Sequence, residues 1–381
     1  MLLFDNTMIT VTKLDGNAGI KKFIKSQWLF YENNPNFVPP IISEEMKNFD
    51  KIKNPLYEHA DYQLFIAEKD GKIVGRIAAI ENKMHNKIHN DNVGFFGFFV
   101  CIDDQNVANK LFDSAKEWLL ERGKNCMRGP TNPTFNDVIG FSVDAFDVPP
   151  LILSPYSNQY YLKLCENYGL QKAKDLFAYK LENHNYRSEK LLRYHDIIQQ
   201  RTQATVRSVS FKNKTQLAKD IFAMKKLYNT AWEKNWSFVK MTDKEFDFLA
   251  SSLVQVGKEE LTLIVEIKGK PVGFALVLPD INQALIHNKR GTLLGAGWCL
   301  FTKKKLINNC RIIVLGVIPE YRNYGLEVLL YYRIGDAALS LGIDKGDASW
   351  ILEDNEMMIR GLTQTMNAQK YKTFRIYEMS I

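Results

Sequence analysis

The sequence predicts an α/β protein with mixed sheets, built from two tandem domains of one design. Its 381 residues suit two domains of ordinary size. Its content of 46% apolar and 24% charged residues is typical of globular proteins. The strongest observation is an internal repeat: the pattern Glu-x-x-Gly-Lys-x-Val-Gly begins at Glu68 and again at Glu266. We therefore place the domains at residues 1–185 and 200–381.

Each repeated segment predicts a β-hairpin. An apolar run precedes it, at 64–67 in the first half and at 263–265 in the second. A glycine-containing tight turn and a second apolar run follow, which is the usual pattern of a hairpin.

The two halves continue to agree after the hairpins. Each has an apolar strand, then a helical stretch whose apolar residues share one face, then a glycine that ends the helix. These features lie at 93–102, 107–121 and Gly123, and again at 311–317, 326–340 and Gly342.

A last helix and strand close each half. In the first half a helix runs from Asn158 to Gly169 and a strand follows through Tyr179; the counterparts are Asn355, Asn367 and Tyr377. Asparagine is the usual substitute for glycine at a left-handed helix end. Residues 183–204 are polar and predict a linker or a connecting helix, and residues 281–301 are additional to the second half.

Bulk features restrict the class of protein. No apolar stretch is long enough to span a bilayer, and the N-terminus does not resemble a signal peptide, so we expect a cytoplasmic protein. Five scattered cysteines lack metal-ligand spacing, and His85 and His89 lie in a polar stretch that predicts a loop, so no metal site is expected. The net charge of +7 favours anionic partners such as coenzyme A or a membrane surface. Because no nucleic-acid motif is present, we do not expect nucleic acid.

The second half contains a candidate phosphate site. The strand at 312–317 runs through a turn into the helix at 326. Gly325 allows a close backbone approach, the helix start offers unpaired N–H groups, and Arg322 adds a positive charge. This combination suits a pyrophosphate.

This segment resembles the acyl-CoA-binding motif of the GNAT acyltransferase superfamily, Arg/Gln-x-x-Gly-x-Gly/Ala. Arg322 and Gly325 match it, whereas Glu327 stands where a small residue is usual. The resemblance implies that coenzyme A, as an acyl-CoA cosubstrate, contacts Val317, Arg322, Asn323, Tyr324, Gly325, Leu326 and Asn355. The corresponding turn of the first half, 103–106, has two carboxylates and no glycine. We therefore expect coenzyme A in the second domain alone.

The whole chain also resembles a bacterial group of double-domain GNAT-like proteins. The shared runs are Asn34–Pro40, Val74–Ala79, Gly94–Phe99, Gly129–Asn136 and Ser349–Asn355. Some members of that group look like bacterial ceramide synthases. The resemblance implies an N-acyltransferase that moves an acyl group from coenzyme A to a small-molecule or lipid amine.

Candidate catalytic groups follow from that reaction. The amide of Val317 is suited to the thioester oxygen, and Glu353 and Asp354 are the candidate bases. Their alternative role is to cap the helix that follows. Many GNAT enzymes carry a tyrosine acid near the position of Leu362, where this chain has none. The acid is therefore unassigned, with Tyr324 as the only suggestion.

Two further segments are candidates for substrate contact. The loop Gly129–Asn136 predicts contacts through Asn132 and Asn136, together with Tyr156; the alternative is a connection stiffened by its prolines. The glycine-rich, apolar stretch 281–301 is expected to border the acyl chain or to make peripheral contact with a membrane.

Two other functions remain open at this point. The chain fits a degenerate, non-catalytic binding protein, and it fits an aminoacyl transferase of peptides that binds no coenzyme A. Because Arg322 is expected in a solvent-facing turn, replacing it by alanine together with Gly325→Val should abolish coenzyme A binding and leave the fold intact.

Overall fold

The computed structural model describes residues 8–31, 33–182, 184 and 188–381. Its strands are β1 Ile9–Leu14, β2 Ala60–Lys69, β3 Lys72–Asn82, β4 Val93–Cys101, β5 Cys126–Gly129, β6 Thr131–Asn132, β7 Val138–Ile139, β8 Phe141–Ser142, β9 Gln171–Glu182, β10 Thr205–Ser208, β11 Thr262–Ile267, β12 Lys270–Pro279, β13 Asn309–Val317, β14 Lys345–Leu352 and β15 Gln369–Ser380. Its helices are α1 Gly16–Ser26, α2 Trp28–Tyr31, α3 Ile42–Asn48, α4 Lys83–His89, α5 Gln105–Leu120, α6 Tyr160–Tyr168, α7 Glu189–Thr202, α8 Lys214–Ala231, α9 Asp243–Val256, α10 Asn282–Leu285, α11 Leu293–Thr302, α12 Leu326–Ser340 and α13 Glu356–Arg360.

The chain forms two compact units. Unit 1 contains the described residues up to Asp175, together with Leu285–Phe301 and Thr373–Ile381. Unit 2 contains the described residues of Leu176–Ala284 and Thr302–Lys372. These units differ from the sequence ranges 1–185 and 200–381, because three segments belong to the unit of the other half.

Unit 1 is a mixed sheet with helices on both faces. Its strands follow the order β1-β2-β3-β4-β5-β15, in which only β4 and β5 are parallel. Helix α5 buries its apolar face on one side, with Leu111 and Phe112 fully covered. Helices α1 and α3 pack on the other side around Phe23 and Phe49.

Unit 2 repeats this order. Its strands run β10-β11-β12-β13-β14-β9, and only β13 and β14 are parallel. Helices α12 and α7 cover one face, and α8 and α9 cover the other. The repeat inferred from the sequence is therefore present in the fold: each unit has a hairpin, a parallel pair and a long helix between the parallel strands.

The closing strands are exchanged between the two halves of the chain. The Leu176–Glu182 part of β9 pairs with β14 in unit 2, and the Thr373–Ser380 part of β15 pairs with β5 in unit 1. The sequence analysis placed each closing strand in its own half. An alternating pattern shows that a strand is half-buried, but it does not show which sheet edge the strand joins.

Three local predictions need comment. The stretch around His85 is helix α4 and not a loop, because the Asn82 side chain accepts from His85 N and Asn90 ends the helix in the left-handed conformation. The polar connection contains α7, capped by Ser188; its residues 183 and 185–187 lie outside the described part. The additional stretch 281–301 contains α10 and most of α11. Among the described residues, no helix is long and apolar enough to cross a membrane.

Candidate active site

Strands β13 and β14 separate part-way along their length in unit 2. Their parallel pairing runs from Asn309 opposite Lys345 to Ile312 opposite Ala348. Both strands continue beyond that point, to Val317 and Leu352. We call this divergence the fork. It opens toward the carboxyl ends of the two strands, where ligands of α/β sheets usually bind.

The backbone of Val317 faces the fork. Val317 lies opposite Gly273 of β12, and the next residue, Ile318, donates its N–H to Val272 O at 2.9 Å. In an antiparallel ladder the pairs alternate, so the Val317–Gly273 pair exchanges no hydrogen bonds. The N–H and C=O of Val317 therefore point away from β12, toward the side on which β14 lies.

A buried polar network lies where the fork begins. Arg311 donates from Nε to Ser349 Oγ at 2.9 Å, and the Ser349 hydroxyl donates to Asp347. Tyr371 donates to the second oxygen of Asp347 at 2.9 Å. Burial raises the pKa of Asp347 and lowers the pKa of Arg311, and in each case the opposite charge of the partner acts against that shift. The network fixes the last paired residues of the two strands.

The turn after β13 is a short 3-10 helix, Pro319–Tyr324, that ends at Gly325. Gly325 has a φ of +76°, in the left-handed region that favours glycine. A Cβ at this position would lie 2.9 Å from Ile198 Cδ1 of α7. Glycine is therefore required here by backbone conformation and by packing against α7. As the N-cap of α12, it leaves the first N–H groups of that helix without a side-chain cap.

Arg322 is half-buried and bonded within the protein. It donates from Nε to Val317 O at 3.3 Å and from a terminal nitrogen to Ala231 O at 2.6 Å. The prediction of a solvent-facing Arg322 is therefore wrong. The combined change Arg322→Ala and Gly325→Val would remove these bonds and place a β-branched residue at positive φ, so we expect it to destabilise unit 2 as well as to weaken coenzyme A binding.

Two ionisable side chains follow one another on α12. Glu327 lies in the first turn, and burial raises its pKa above the ordinary value. Tyr331, one turn further on, is buried and has a raised pKa because of burial first and of Glu327 second. Its hydroxyl donates to Met358 Sδ of α13 at 3.1 Å. A protonated hydroxyl is thus held between α12 and α13.

The corresponding place in unit 1 is filled by protein. Strands β4 and β5 pair only from Val93 to Phe95. Beyond that point Thr131 O lies so close to Gly97 that a Cβ on Gly97 would be 1.7 Å from it. Phe98 N donates to Asn132 Oδ1. Cys101, which corresponds to Val317, has its carbonyl oxygen occupied by the Tyr160 hydroxyl at 2.8 Å. Thr131 and Asn132 thus occupy the fork of unit 1, and Tyr160 bonds the Cys101 carbonyl as Arg322 bonds the Val317 carbonyl.

Known proteins match the chain in sequence and in structure, although no protein-family model matches it. Protein YghO of Escherichia coli is 31% identical over 370 residues, covering 95% of this chain and 93% of that protein. Bacterial ceramide synthase of Caulobacter vibrioides is 31% identical over 391 residues, covering 99% and 100%. A tandem GNAT protein from the clavulanic acid biosynthesis pathway superposes with a TM-score of 0.54 at 9% identity, covering 98% of each chain.

The chain belongs to the same family as these two bacterial proteins. The structural likeness shows that the two units are GNAT domains in fold. The turn that the sequence analysis predicts to bind phosphate is Arg322–Glu327 of unit 2. Asn323 and Tyr324 of that turn are exposed, and Tyr324 O accepts from Arg201 at 2.7 Å. Leu326 is fully buried, so only its backbone can reach a ligand.

The predicted bases lie where the sequence places them. Glu353 and Asp354 follow β14 directly, at the end of the strand beside β13. The helix after them is capped by Asn355, whose side chain accepts from Met358 N at 3.2 Å. Asn355 is therefore engaged as a cap. Catalysis by the two carboxylates stays a prediction.

The three residues predicted to contact substrate belong to unit 1. Asn132 uses its side-chain oxygen on Phe98 N, and Asn136 N donates to Thr134 Oγ1 at 3.1 Å. Tyr156 donates to Phe146 O at 3.4 Å. These bonds all lie within unit 1, and they agree with the alternative that the loop is a stiffened connection. Substrate contact by these side chains stays a prediction.

Sequence reasoning missed Tyr331 as a candidate acid. Many GNAT enzymes carry the tyrosine acid near the position of Leu362, after α13, and this chain has no tyrosine there. In this chain the hydroxyl comes from α12 and reaches α13 from the other side. The four-residue spacing of Glu327 and Tyr331, which puts both on one helix face, was the available signal.

Proposed function

We propose that the chain is an acyl-CoA-dependent N-acyltransferase whose reaction takes place at the fork of unit 2. The observation that carries this proposal is the Val317 backbone directed into the fork, beside the uncapped start of α12. In unit 1 Thr131 and Asn132 lie against β4 in the fork, and the Asp104 side chain caps the start of α5. We therefore infer one acyl-CoA site, in unit 2.

Acyl-CoA would be held mainly by backbone groups. The N–H groups of the first turn of α12 and the positive end of its dipole suit a pyrophosphate. Arg322 already donates to two carbonyl oxygens, so it contributes its charge more than its hydrogen bonds. Glu327 opposes phosphate when it is ionised, and burial favours its neutral form.

The transfer needs an oxyanion donor, a base and an acid. The amine nitrogen attacks the thioester carbon, and the carbonyl oxygen that becomes negative accepts from Val317 N. Glu353 or Asp354, at the end of β14, takes the proton that the amine loses. As the C–S bond breaks, the Tyr331 hydroxyl gives a proton to the thiolate. Burial supports this role because it keeps Tyr331 protonated.

The acceptor that we propose is a lipid amine and the donor a long-chain acyl-CoA. Support comes from the relative named bacterial ceramide synthase, which matches over the full length of both chains. A small-molecule amine is the simpler alternative within the same reaction. Nucleic acid has no part in either version.

A non-catalytic binding protein is the second candidate. The bonded state of Arg322 and the acidic Glu327 in the phosphate turn favour it, since both reduce the attraction for coenzyme A. Aminoacyl transfer to a peptide is the third, and it predicts no coenzyme A binding.

The test is the formation of an amide from a long-chain acyl-CoA and a long-chain amine, followed by mass spectrometry. The wild-type protein should form the product. Tyr331→Phe removes one hydroxyl, so it should lower kcat about 100-fold, the usual scale for a lost general acid, with little change in acyl-CoA affinity.

Tyr160→Phe is the matched control, because it removes the hydroxyl bonded at the corresponding place in unit 1. This variant should keep the wild-type kcat. Coenzyme A binding without product would favour the non-catalytic protein, and product without coenzyme A binding would exclude the proposal. Loss of activity in Tyr160→Phe with normal activity in Tyr331→Phe would place the chemistry in unit 1.

A further inference from the structure

Helix α11 exposes its apolar face. The exposed fractions are 89% for Leu294, 69% for Trp298 and 74% for Phe301. Leu293 and Gly297 are exposed on the same face, as the spacing of positions 293, 294, 297, 298 and 301 requires. The buried positions of the helix are the small residues Ala296 and Cys299. A helix of a globular protein normally buries its large apolar residues and exposes its polar ones.

The start of this helix is fixed to unit 1. Trp28 Nε1 donates to Lys289 O at 2.7 Å, and Ile42 N donates to Gly291 O at 2.9 Å. The buried Asn288 donates to Thr292 O at 2.9 Å. The exposure of the large side chains is therefore a property of an anchored helix, and it does not result from a loose end of the chain.

Basic residues stand on both sides of the helix in sequence. Lys289 and Arg290 precede it, Lys303, Lys304 and Lys305 follow it, and all five are exposed. The ten residues of α11 contain no charge at all. An apolar helix that carries tryptophan, leucine and phenylalanine between basic residues is the composition of segments that lie in the headgroup region of anionic membranes.

We propose that α11 docks on the surface of an anionic lipid bilayer. Ten residues of helix extend about 15 Å, half of the roughly 30 Å needed to cross the hydrocarbon core, so the helix lies in the plane of the surface. The exposed side chains enter the acyl boundary, and Lys289 and Arg290, which precede the helix in the same unit, meet lipid phosphates. A bilayer fits better than a protein partner because both the apolar face and the flanking positive charges are satisfied by one surface. This inference does not depend on the proposed transfer reaction.

Co-sedimentation with vesicles tests the inference without any catalytic readout. The full chain should bind vesicles of phosphatidylethanolamine and phosphatidylglycerol, bind phosphatidylcholine vesicles weakly, and dissociate at high salt. Leu294→Glu combined with Trp298→Glu should lower the partition coefficient at least about tenfold, because two charges would enter the acyl boundary.

The matched control is Ile52→Glu combined with Phe222→Glu, which changes the charge equally at exposed apolar positions outside α11. It should bind anionic vesicles as the parent does. Equal loss of binding in both double variants, or no binding by the parent, would overturn the inference. Light scattering tests a different occupant of the face. If the parent is a dimer, and the α11 substitutions make it a monomer without changing vesicle binding, the face binds a second copy of the chain. Activity on a short-chain acyl-CoA and a water-soluble amine should be unchanged in the α11 variant, which separates docking from the transfer reaction.

Discussion

Glu327 is the residue at which the proposed phosphate turn departs most from the GNAT motif that it resembles. Its carboxyl group lies in the first turn of α12, where unpaired N–H groups favour an anion, and burial raises its pKa. An ionised Glu327 would compete with a phosphate for those N–H groups and repel it. A protonated Glu327 would do neither.

We therefore expect a pH dependence of acyl-CoA affinity that depends on this residue. Because the pKa is raised, Glu327 is neutral below the ordinary range near 4.5 and becomes ionised only as pH rises through the higher, folded-state value. The affinity for acyl-CoA should therefore fall as the pH rises through that value. Glu327→Gln should flatten the profile and increase the affinity about tenfold, or ~1.4 kcal/mol, at a pH high enough to ionise Glu327 in the parent, the scale of one screened charge repulsion.

Calorimetric titration across pH measures this effect. Glu320→Gln is the control, since it removes an equal charge from an exposed position of the same turn. A Glu327→Gln protein with weaker binding than the parent would show that the carboxylate helps to hold the ligand.

The sequence predicts single residues well where backbone conformation decides. The left-handed conformation of Asn367 follows from its place at a helix end, and its φ of +52° confirms it. The position of Arg322 does not follow, because the carbonyl that accepts its proton, Ala231 O, is 91 residues away in sequence. The filled fork of unit 1 could not be predicted for the same reason, because Asn132 and Phe98 are 34 residues apart in sequence.

At the scale of elements, the fork depends on where β13 and β14 stop pairing. The Arg311–Asp347 pair lies one residue before the last paired position, and both side chains are 1% exposed. Together with Ser349 and Tyr371 it ties the strands at the point of divergence. A buried pair of this kind often adds little stability over apolar residues, but it is costly to break by removing one partner.

We predict that Arg311→Met lowers the free energy of unfolding of unit 2 by about 3–5 kcal/mol, because Asp347 would be left as an uncompensated buried charge. The double change Arg311→Met and Asp347→Leu should recover most of that loss. Chemical denaturation of the single and double variants measures both values. A single variant within about 1 kcal/mol of the parent would mean that the pair does not hold the base of the fork.

Elements that follow from local pattern were predicted correctly. Both hairpins, the strands before the long helices, and α12 with its ends at 326 and 340 agree with the sequence analysis. The exchange of β9 and β15 between units could not be predicted, since the pattern of a strand does not name its partner. Helix α11 was also missed as a helix, because three glycines in and before it indicate irregular structure, and its anchoring bonds come from Trp28 and Ile42.

The two units of the whole molecule share a fold and differ in what occupies the fork. In unit 1, Asn132 accepts from Phe98 N inside the fork and the Asp104 side chain caps the start of α5. In unit 2 the Val317 N–H remains directed into the fork and α12 begins without a side-chain cap. From this difference we expect acyl-CoA to bind in unit 2 alone.

Hydrogen–deuterium exchange with and without a long-chain acyl-CoA tests that claim most directly. The ligand should slow exchange in peptides that cover residues 313–330 and 349–362, where the Val317 amide, the start of α12 and the end of β14 lie. Peptides that cover residues 96–108 should exchange at the same rate in both samples. Protection of residues 96–108, or no protection of residues 313–330 at saturating acyl-CoA, would exclude an acyl-CoA site in unit 2 alone.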